Sequence, residues 1–354
     1  MKKIVSTLMA AFILVFSLCS CSIDESTAAT DGVFKVVMAT DLGGINDQSF
    51  NQSAWEGLQS FNKNTGAQVS YLESKSTSDF YSSLDKLSDE DYDLIWGIGF
   101  AMSDSIEATA KLNLDKSYAI VDFSYGNETP NNVTGVVFRA EESSFLVGYI
   151  AGKTTKTNKV GFIGGIKGDV ISQFEYGFTA GVNYASKELN KNIEVVSQYA
   201  ESFTDSAKGK AIATKMYNDG CDIIFHAAGG VGYGVFEAAK GYSGRYVIGV
   251  DRDQSYLAPE NTLTSSLKLV GNAMELISKE AMDGKEIGGK TRSFGIKEKC
   301  VGLPEHNPNI NPAVYSDAMK LSEKIGVGTI NISEGEVTIP YNLETYKVFT
   351  EMIK

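Results

Sequence analysis

From residue 34 onward, short apolar runs alternate with longer amphipathic stretches. FKVVMAT (34–40), AQVSYLE (67–73), DLIWGIG (93–99), SYAIVDF (117–123) and VTGVVFRA (133–140) are rich in β-branched and aromatic residues and lack a clean period of two. Strands of that kind are buried on both faces, as in a parallel sheet covered by crossover helices. Helical periodicity fills the gaps, at about 49–63, 80–87 and 104–111. In the first of these, Ala54, Leu58 and Phe61 fall on one face, with Trp55 expected to join them.

After residue 140 the alternation starts again. A helix at about 143–154 precedes KVGFIGG (159–165), and a helix at about 173–187 precedes IEVVSQYA (193–200). Helices at about 207–218 and 234–240 then flank DIIFHAA (222–228), and YVIGVD (246–251) closes the series. Two α/β units of similar size, with no Pro-rich linker between them, predict two lobes joined by a hinge. The remainder, with TLTSSLK (262–268), helices at about 272–282 and 312–324, FGIKEKCVGL (294–303) and VTIP (337–340), is too short for a third domain. It is expected to return elements to both lobes through multiple hinge crossings. The predicted division is 33–138 with about 266–305 for the first lobe, and 139–265 with about 306–354 for the second.

The N-terminus has a different character. Lys2 and Lys3 precede an apolar run, Ile4 to Leu18, that is shorter than the roughly 20 residues of a membrane-spanning helix. This reads as an export signal, residues 1–20. Leu18-Cys19-Ser20-Cys21 resembles a lipobox, with Leu three places before Cys21 and a small residue just before it. Cys21 is therefore the expected lipidated first residue of the mature chain, and Cys19, preceded by bulky Leu18, fits less well. Residues 21–32, polar and small, read as a flexible tether to the membrane.

Composition narrows the function. The 354 residues carry a formal net charge of −12, and loss of two signal-peptide lysines leaves −14. That sign argues against nucleic acid and anionic membrane surfaces as partners. Only His226 and His306 occur, without metal-ligand spacing, so no metal site is expected. Cys221 and Cys300 could pair in an oxidising compartment, although a buried free thiol suits Cys221 better.

Catalytic motifs are missing. GYIAGKT (148–154) has three residues between Gly148 and Gly152 where a phosphate loop needs four, and it lies in a helical pattern. GGVGYG (229–234) misses the dinucleotide spacing and reads instead as a tight turn whose backbone can approach a ligand. There is neither a G-x-S-x-G elbow nor H-E-x-x-H. Glu141-Glu142 and Asp89-Glu90-Asp91 read as solvated faces or helix starts rather than an acid/base couple. The expectation is a protein that is not an enzyme and needs no cofactor.

A different pattern does recur: a polar or aromatic residue, or a glycine turn, just past a predicted strand end. Asp41, Phe100, Asp122, Phe203, Gly229 and Gly230, Asp251 and Lys268 all occupy such positions. Each alone has a structural explanation, as a cap, a turn former or a core ring. Together they mark the C-terminal edges of two parallel sheets, where α/β proteins place binding groups. Phe50 and Asn51, in the first turn of the helix after Asp41, join them as a stacking ring and a polar amide.

TDLGGINDQSFNQSAWEGLQ (40–59), GYIAGKTTKTNKVGFIGG (148–165), CDIIFHAAGGVGYGVFEAAK (221–240), IGVDRDQ (248–254) and TSSLKLVGNAM (264–274) resemble segments of the BMP family. These are the basic membrane protein, or purine nucleoside receptor-like, substrate-binding lipoproteins of ABC transporters. The resemblance runs from about Phe34 to the C-terminus. It implies a two-lobed type I periplasmic-binding-protein fold, each lobe a parallel sheet flanked by helices, with a nucleoside held between the lobes. By matching motif, Phe50 and Phe203 would sandwich the base. Asp41, Asn51 and Asp122 would hydrogen-bond it or help close the lobes, and Asp251, Lys268 and the Gly230 backbone would hold the ribose. Around Phe203, Ala200-Glu201 departs from the family's usual Gly-Ser-Phe run, and Asn46 stands where many relatives carry a second Asp. The implied partners are an ABC permease and its ATPase, on the extracytoplasmic side of the cell membrane. Other readings are a binding protein for a sugar or signalling molecule, a nucleoside hydrolase or phosphorylase, and a surface adhesin.

Overall fold

The structure, a computed structural model, describes residues 32–326. The expected signal peptide, lipidated Cys21, most of the tether and VTIP lie outside the described residues.

The first lobe is built from β1 (Lys35–Thr40), α1 (Phe50–Thr65), β2 (Gln68–Glu73), α2 (Asp79–Ser88), β3 (Leu94–Ile98), α3 (Ser103–Leu112), β4 (Ser117–Val121) and β5 (Val133–Phe138). The second contains α4 (Ala140–Thr154), β6 (Lys159–Gly164), α5 (Asp169–Leu189), β7 (Glu194–Tyr199), α6 (Ser206–Asn218), β8 (Ile223–Ala227), α7 (Gly232–Ala239), β9 (Tyr246–Asp251) and β10 (Thr262–Lys268). The chain then returns through α8 (Val270–Met282), β11 (Lys290–Phe294), β12 (Val301–Gly302) and α9 (Pro312–Gly326).

Two six-stranded sheets result, ordered β11-β5-β4-β3-β1-β2 and β12-β10-β9-β8-β6-β7. All pairings are parallel except β12 with β10. Central strands such as β3 and β8 are buried throughout, because helices cover both faces. In the first lobe α1 and α8 pack over one face with Phe61, Trp96 and Met274, and α2 and α3 over the other with Phe80 and Ile106. In the second, α4, α5 and α9 cover one face and α6 and α7 the other. Trp55 is only half-buried, edge-on to Tyr71 at 4.9 Å, and so sits at the margin of the α1 stripe rather than within it.

The chain crosses between lobes near residues 139, 269 and 295–300, and the crossings are bonded to one another. Arg139 N donates to Phe294 O at 2.8 Å and Leu269 N to Cys300 O at 2.7 Å. Strand pairing trims the expected return segment of about 266–305 at both ends. Residues up to Lys268 belong to β10 in the second sheet, and β12 comes back to pair with it.

Two sequence features find structural roles here. The GYIAGKT stretch lies within α4, where a Cβ on Gly148 would fall 2.1 Å from Phe178 O of α5. Its glycine permits close helix packing. Glu141 and Glu142 do stand in the first turn of α4, but both are buried, contrary to the solvated alternative. Glu142 accepts from Arg139 Nε at 2.6 Å and from Ile296 N at 2.7 Å, which ties it into the hinge. Burial holds the Glu141 carboxyl well above the usual carboxylate range.

Candidate functional site

Each sheet has a point where successive connections leave in opposite directions: between β1 and β3 in the first lobe, and between β6 and β8 in the second. Ligand crevices form at such points. The loops following these four strands all line a cavity of about 580 Å³, within the range of roughly 300–1,000 Å³ common for small-molecule sites. Asp41, Phe50, Asn51, Phe100, Asp122, Phe203, Gly229, Gly230, Asp251 and Lys268 are all among its lining residues.

The polar end is organised around one buried cation. Lys268, at the end of β10, places Nζ 2.5 Å from Asp122 Oδ2, with both side chains almost fully buried. The same ammonium lies 4.8 Å from the Phe50 ring centroid, 5.1 Å from that of Phe138 and 5.9 Å from that of Phe174. Charge pairing and aromatic faces both stabilise a cation that burial alone would disfavour. Asp251, from the second lobe, accepts from Ser49 Oγ of the first. Burial pushes its carboxyl up to about 6, against the pull of Lys268 and the Ser49 hydroxyl.

Asp122 directly follows the fourth strand of its lobe and Asp251 ends that of the other, and both have φ of 66°. For a non-glycine residue that conformation costs on the order of 1–3 kcal/mol, and such strain concentrates at binding sites.

Asp41 and Phe50 converge beside Gly99. A Cβ on Gly99 would lie 3.4 Å from Asp41 Oδ2 and 3.6 Å from Phe50 Cε1. Asp41 Oδ1 accepts from Gly43 N at 2.9 Å and from Asn51 Nδ2 at 2.7 Å. Burial raises its carboxyl to about 6 despite those two donors. The Asn51 amide nitrogen also donates to Asp47 Oδ2 at 2.9 Å, while its Oδ1 is buried and has no partner among the described residues. An orphaned buried acceptor costs roughly 1–3 kcal/mol, which a ligand donor would relieve.

Asp47 is one of the lining residues that sequence reading passed over. It accepts from the backbone N–H groups of Ser49, Asn51 and Gln52 at 2.8–3.0 Å, so it caps the start of α1 and occupies these helix-start donors. An acidic residue two positions before Ser49, at a helix entry, was the available signal.

The second lobe contributes an apolar patch, Ile166, Val170, Ile171 and Phe174 with the Phe203 ring, beside the polar Glu201, Ser202, Thr204, Ser206 and Tyr233. Phe203 lies against Gly165, where a Cβ would come within 2.2 Å of its Cε1. It meets Phe100 of the first lobe edge-on at 6.5 Å. Behind the wall, buried His226 sets Nε2 against Gln254 Oε1 at 3.1 Å, and burial lowers its pKa to about 4. Because Gln254 Oε1 also accepts from Val250 N, the imidazole proton sits on Nε2.

Lobe-to-lobe contacts surround the cavity. Gln254 Nε2 donates to Gln48 O at 3.0 Å, and Arg252 Nη2 reaches both carboxylate oxygens of Glu56 at 2.9 and 3.0 Å.

A two-lobed parallel fold with its cavity at paired switch points narrows the possibilities, and comparison of the chain with known proteins decides among them. The family model named Bmp, described as ABC transporter substrate-binding protein PnrA-like, matches residues 34–336. This chain belongs to the Bmp family. Bmp proteins are ABC transporter substrate-binding proteins rather than enzymes. Among similar Bmp relatives, "Basic membrane protein A" of Borreliella afzelii is 44% identical over 334 residues, covering 93% of this chain and 98% of the relative. The "CD4+ T-cell-stimulating antigen" of Listeria monocytogenes is 43% identical, covering 85% and 88%. Among solved structures, an ABC transporter system solute-binding protein from Aeropyrum pernix K1 superposes with a TM-score of 0.77 at 26% identity, over 90% of this chain and 97% of that one. The Bmp assignment implies a permease and ATPase partner and a small ligand. No helix among the described residues is long and apolar enough to cross a membrane.

Proposed function

We propose that this Bmp protein captures a nucleoside, a purine nucleoside first, in its interlobe cavity and delivers it to an ABC permease. The observation that carries the reading is the pairing of an aromatic ring from each lobe, Phe50 and Phe203, with a buried Asp122–Lys268–Asp251 cluster in one cavity. A nucleoside has a flat π face that rings can stack on, an edge of hydrogen-bonding groups and a ribose diol. Stacking contributes about 1–3 kcal/mol per base. The carboxylates of Asp122 and Asp251 accept from hydroxyls, and the Lys268 ammonium donates to ribose oxygens. In this reading Cys21 carries the lipid that holds the protein at the extracytoplasmic face of the membrane, the tether giving it reach.

The test is a thermal-shift screen of the chain from residue 22 onward, unfolded and refolded to remove carried-over ligand, against nucleosides, free bases, sugars and amino acids. A ligand at about 100 times its Kd adds roughly 2.7 kcal/mol, a shift of several degrees. Stabilisation by purine nucleosides but not by ribose supports the proposal. A shift with sugars alone refutes it. For the anchor, Cys21→Ala should release the full-length protein from the membrane fraction, and continued membrane retention would refute lipidation there.

A further inference from the structure

A chain of hydrogen bonds runs from a buried histidine of the second lobe to the opposite side of the cleft. His226, in β8, is fully buried, and its Nδ1 has no partner among the described residues. A bare imidazole nitrogen is a worse core filler than a phenyl ring, so what His226 supplies is its other nitrogen: Nε2–H donates to Gln254 Oε1 at 3.1 Å. Gln254 is buried as well. Its Oε1 also accepts from Val250 N at 2.9 Å, so turning the side-chain amide over would set its NH2 against two donors. Its Nε2 is thereby aimed across the cleft, where it donates to Gln48 O at 3.0 Å. Tyr256, two residues on, donates its hydroxyl to Gln48 Oε1. Both acceptors belong to a first-lobe residue with φ of 53°, a left-handed conformation that a non-glycine residue keeps only when its surroundings hold it there. Ser49 and Phe50 follow it directly, the one bonded to Asp251 and the other lining the cavity.

We propose that Gln254, oriented by His226, is a positioning residue for lobe closure: with Tyr256 it holds Gln48 in its left-handed turn from across the cleft, and so keeps a fraction of the protein shut even without ligand. Gln48, His226, Gln254 and Tyr256 all lie outside the cavity lining, so their effect reaches a ligand only through closure. Every atom of this latch belongs to the protein, and its cleft-crossing bonds break when the lobes part. It therefore favours the closed form whether the cavity is empty or full, and acts on ligand escape more than on recognition. The turn it holds leads straight into α1, so the same grip aligns the Ser49–Asp251 bond and the Phe50 ring.

The experiment measures closure directly, by double electron–electron resonance on ligand-stripped protein from residue 22 onward. Spin labels are attached through Lys86→Cys in α2 and Lys208→Cys in α6, both exposed positions, while native Cys221 and Cys300 are buried. Phe80 of α2 and Ser206 of α6 line the cavity from opposite lobes, so the label-to-label distance reports its opening. Wild type should show two distances, the shorter being the closed form. Gln254→Glu keeps an acceptor for Val250 N and His226 but sets a carboxylate oxygen against Gln48 O. It should lower the closed-to-open ratio at least about three-fold, the contribution of one hydrogen bond. His226→Phe should move the ratio the same way. Tyr256→Phe, at an exposed position that leaves the second lobe's interior intact, should lower it about two-fold with no loss of melting temperature. A single open distance in the wild type, or variants that keep the wild-type ratio, would overturn the proposal. A ratio that falls only where the melting temperature falls with it would make the network mere structural support, and would overturn it too. No ligand is added, so neither result bears on the nucleoside reading.

Discussion

In the first lobe, the loops after β1 and β4 bring Asp41 and Asp122 to the cavity, with Asp47 and Asn51 beside them. In the second lobe, the loops after β6 and β8 bring Ile166, Gly229 and Gly230, and the start of α5 adds Val170, Ile171 and Phe174. The polar groups of the second lobe are Asp251 and Lys268, together with Glu201, Ser202, Thr204 and Ser206 between β7 and α6 and Tyr233 of α7. One topology, repeated, thus presents a carboxylate-rich loop set on one side, and on the other the apolar start of α5 beside hydroxyls and the Asp251 and Lys268 side chains. What links the two sides is an exchange: Lys268 of the second lobe pairs with Asp122 of the first, and Ser49 of the first donates to Asp251 of the second. The arrangement suits a ligand with a flat face and polar edges held by both lobes, with closure coupled to both exchanges.

The sharpest way to break the comparison is to remove the exchanged cation. Lys268→Met keeps the stem but leaves Asp122 buried without its partner. Loss of one member of a buried charge pair costs about 2–5 kcal/mol, so ligand affinity measured by calorimetry should fall roughly 30-fold or more. A change of less than about three-fold would mean that the pair is not part of the binding state.

Next in size are the rings. Phe50→Ala and Phe203→Ala should each weaken binding by about 1–3 kcal/mol if both lobes stack on the base. Their ratio sharpens the comparison. An effect confined to Phe50 would assign Phe203 to covering the mouth with Phe100 rather than to stacking.

A third expectation concerns pH. Asp41 and Asp251 titrate at about 6 in the folded protein, raised from an ordinary value of 3.8. Between those values the folded state retains protons that the unfolded chain has released. Their stabilising contribution is complete below 3.8 and is lost as pH rises through about 6. Relative to the double variant Asp41→Asn/Asp251→Asn, the ligand-free wild type should gain in melting temperature as pH falls from about 7 to 5. A parallel pair of curves would contradict the burial of these carboxyls.

The smallest effect is expected outside the cavity, at Arg252 and Glu56. This pair is partly exposed, with side-chain exposures of 22% and 46%, so Arg252→Ala should cost no more than about 1 kcal/mol of affinity. A larger loss would show that the rim, rather than the two exchanges within, dominates closure.

Sequence patterning carried most of the architecture, because strands buried on both faces and helices with one apolar stripe leave strong periodic signals. Residues 290–294 escaped: KTRSF pairs with β5 at the edge of the sheet, where only Phe294 is buried and no apolar run is needed. The strand-end residues were legible because parallel sheets place their loops at one edge. Asp47 was less so, since capping and site-building look alike in a polar loop. The contacts of Lys268 with Phe138 and Phe174 are tertiary, joining residues more than 90 positions apart in sequence at the nearer pair, and no local pattern encodes them.

The most direct test of the central claim is calorimetric titration of ligand-stripped protein with a purine nucleoside, its free base and ribose in parallel, followed by chromatography of the recovered ligand. The account predicts one nucleoside bound per chain, far more tightly than either fragment and recovered intact. Binding of ribose alone, or recovery of the nucleoside as separate base and sugar, would contradict it.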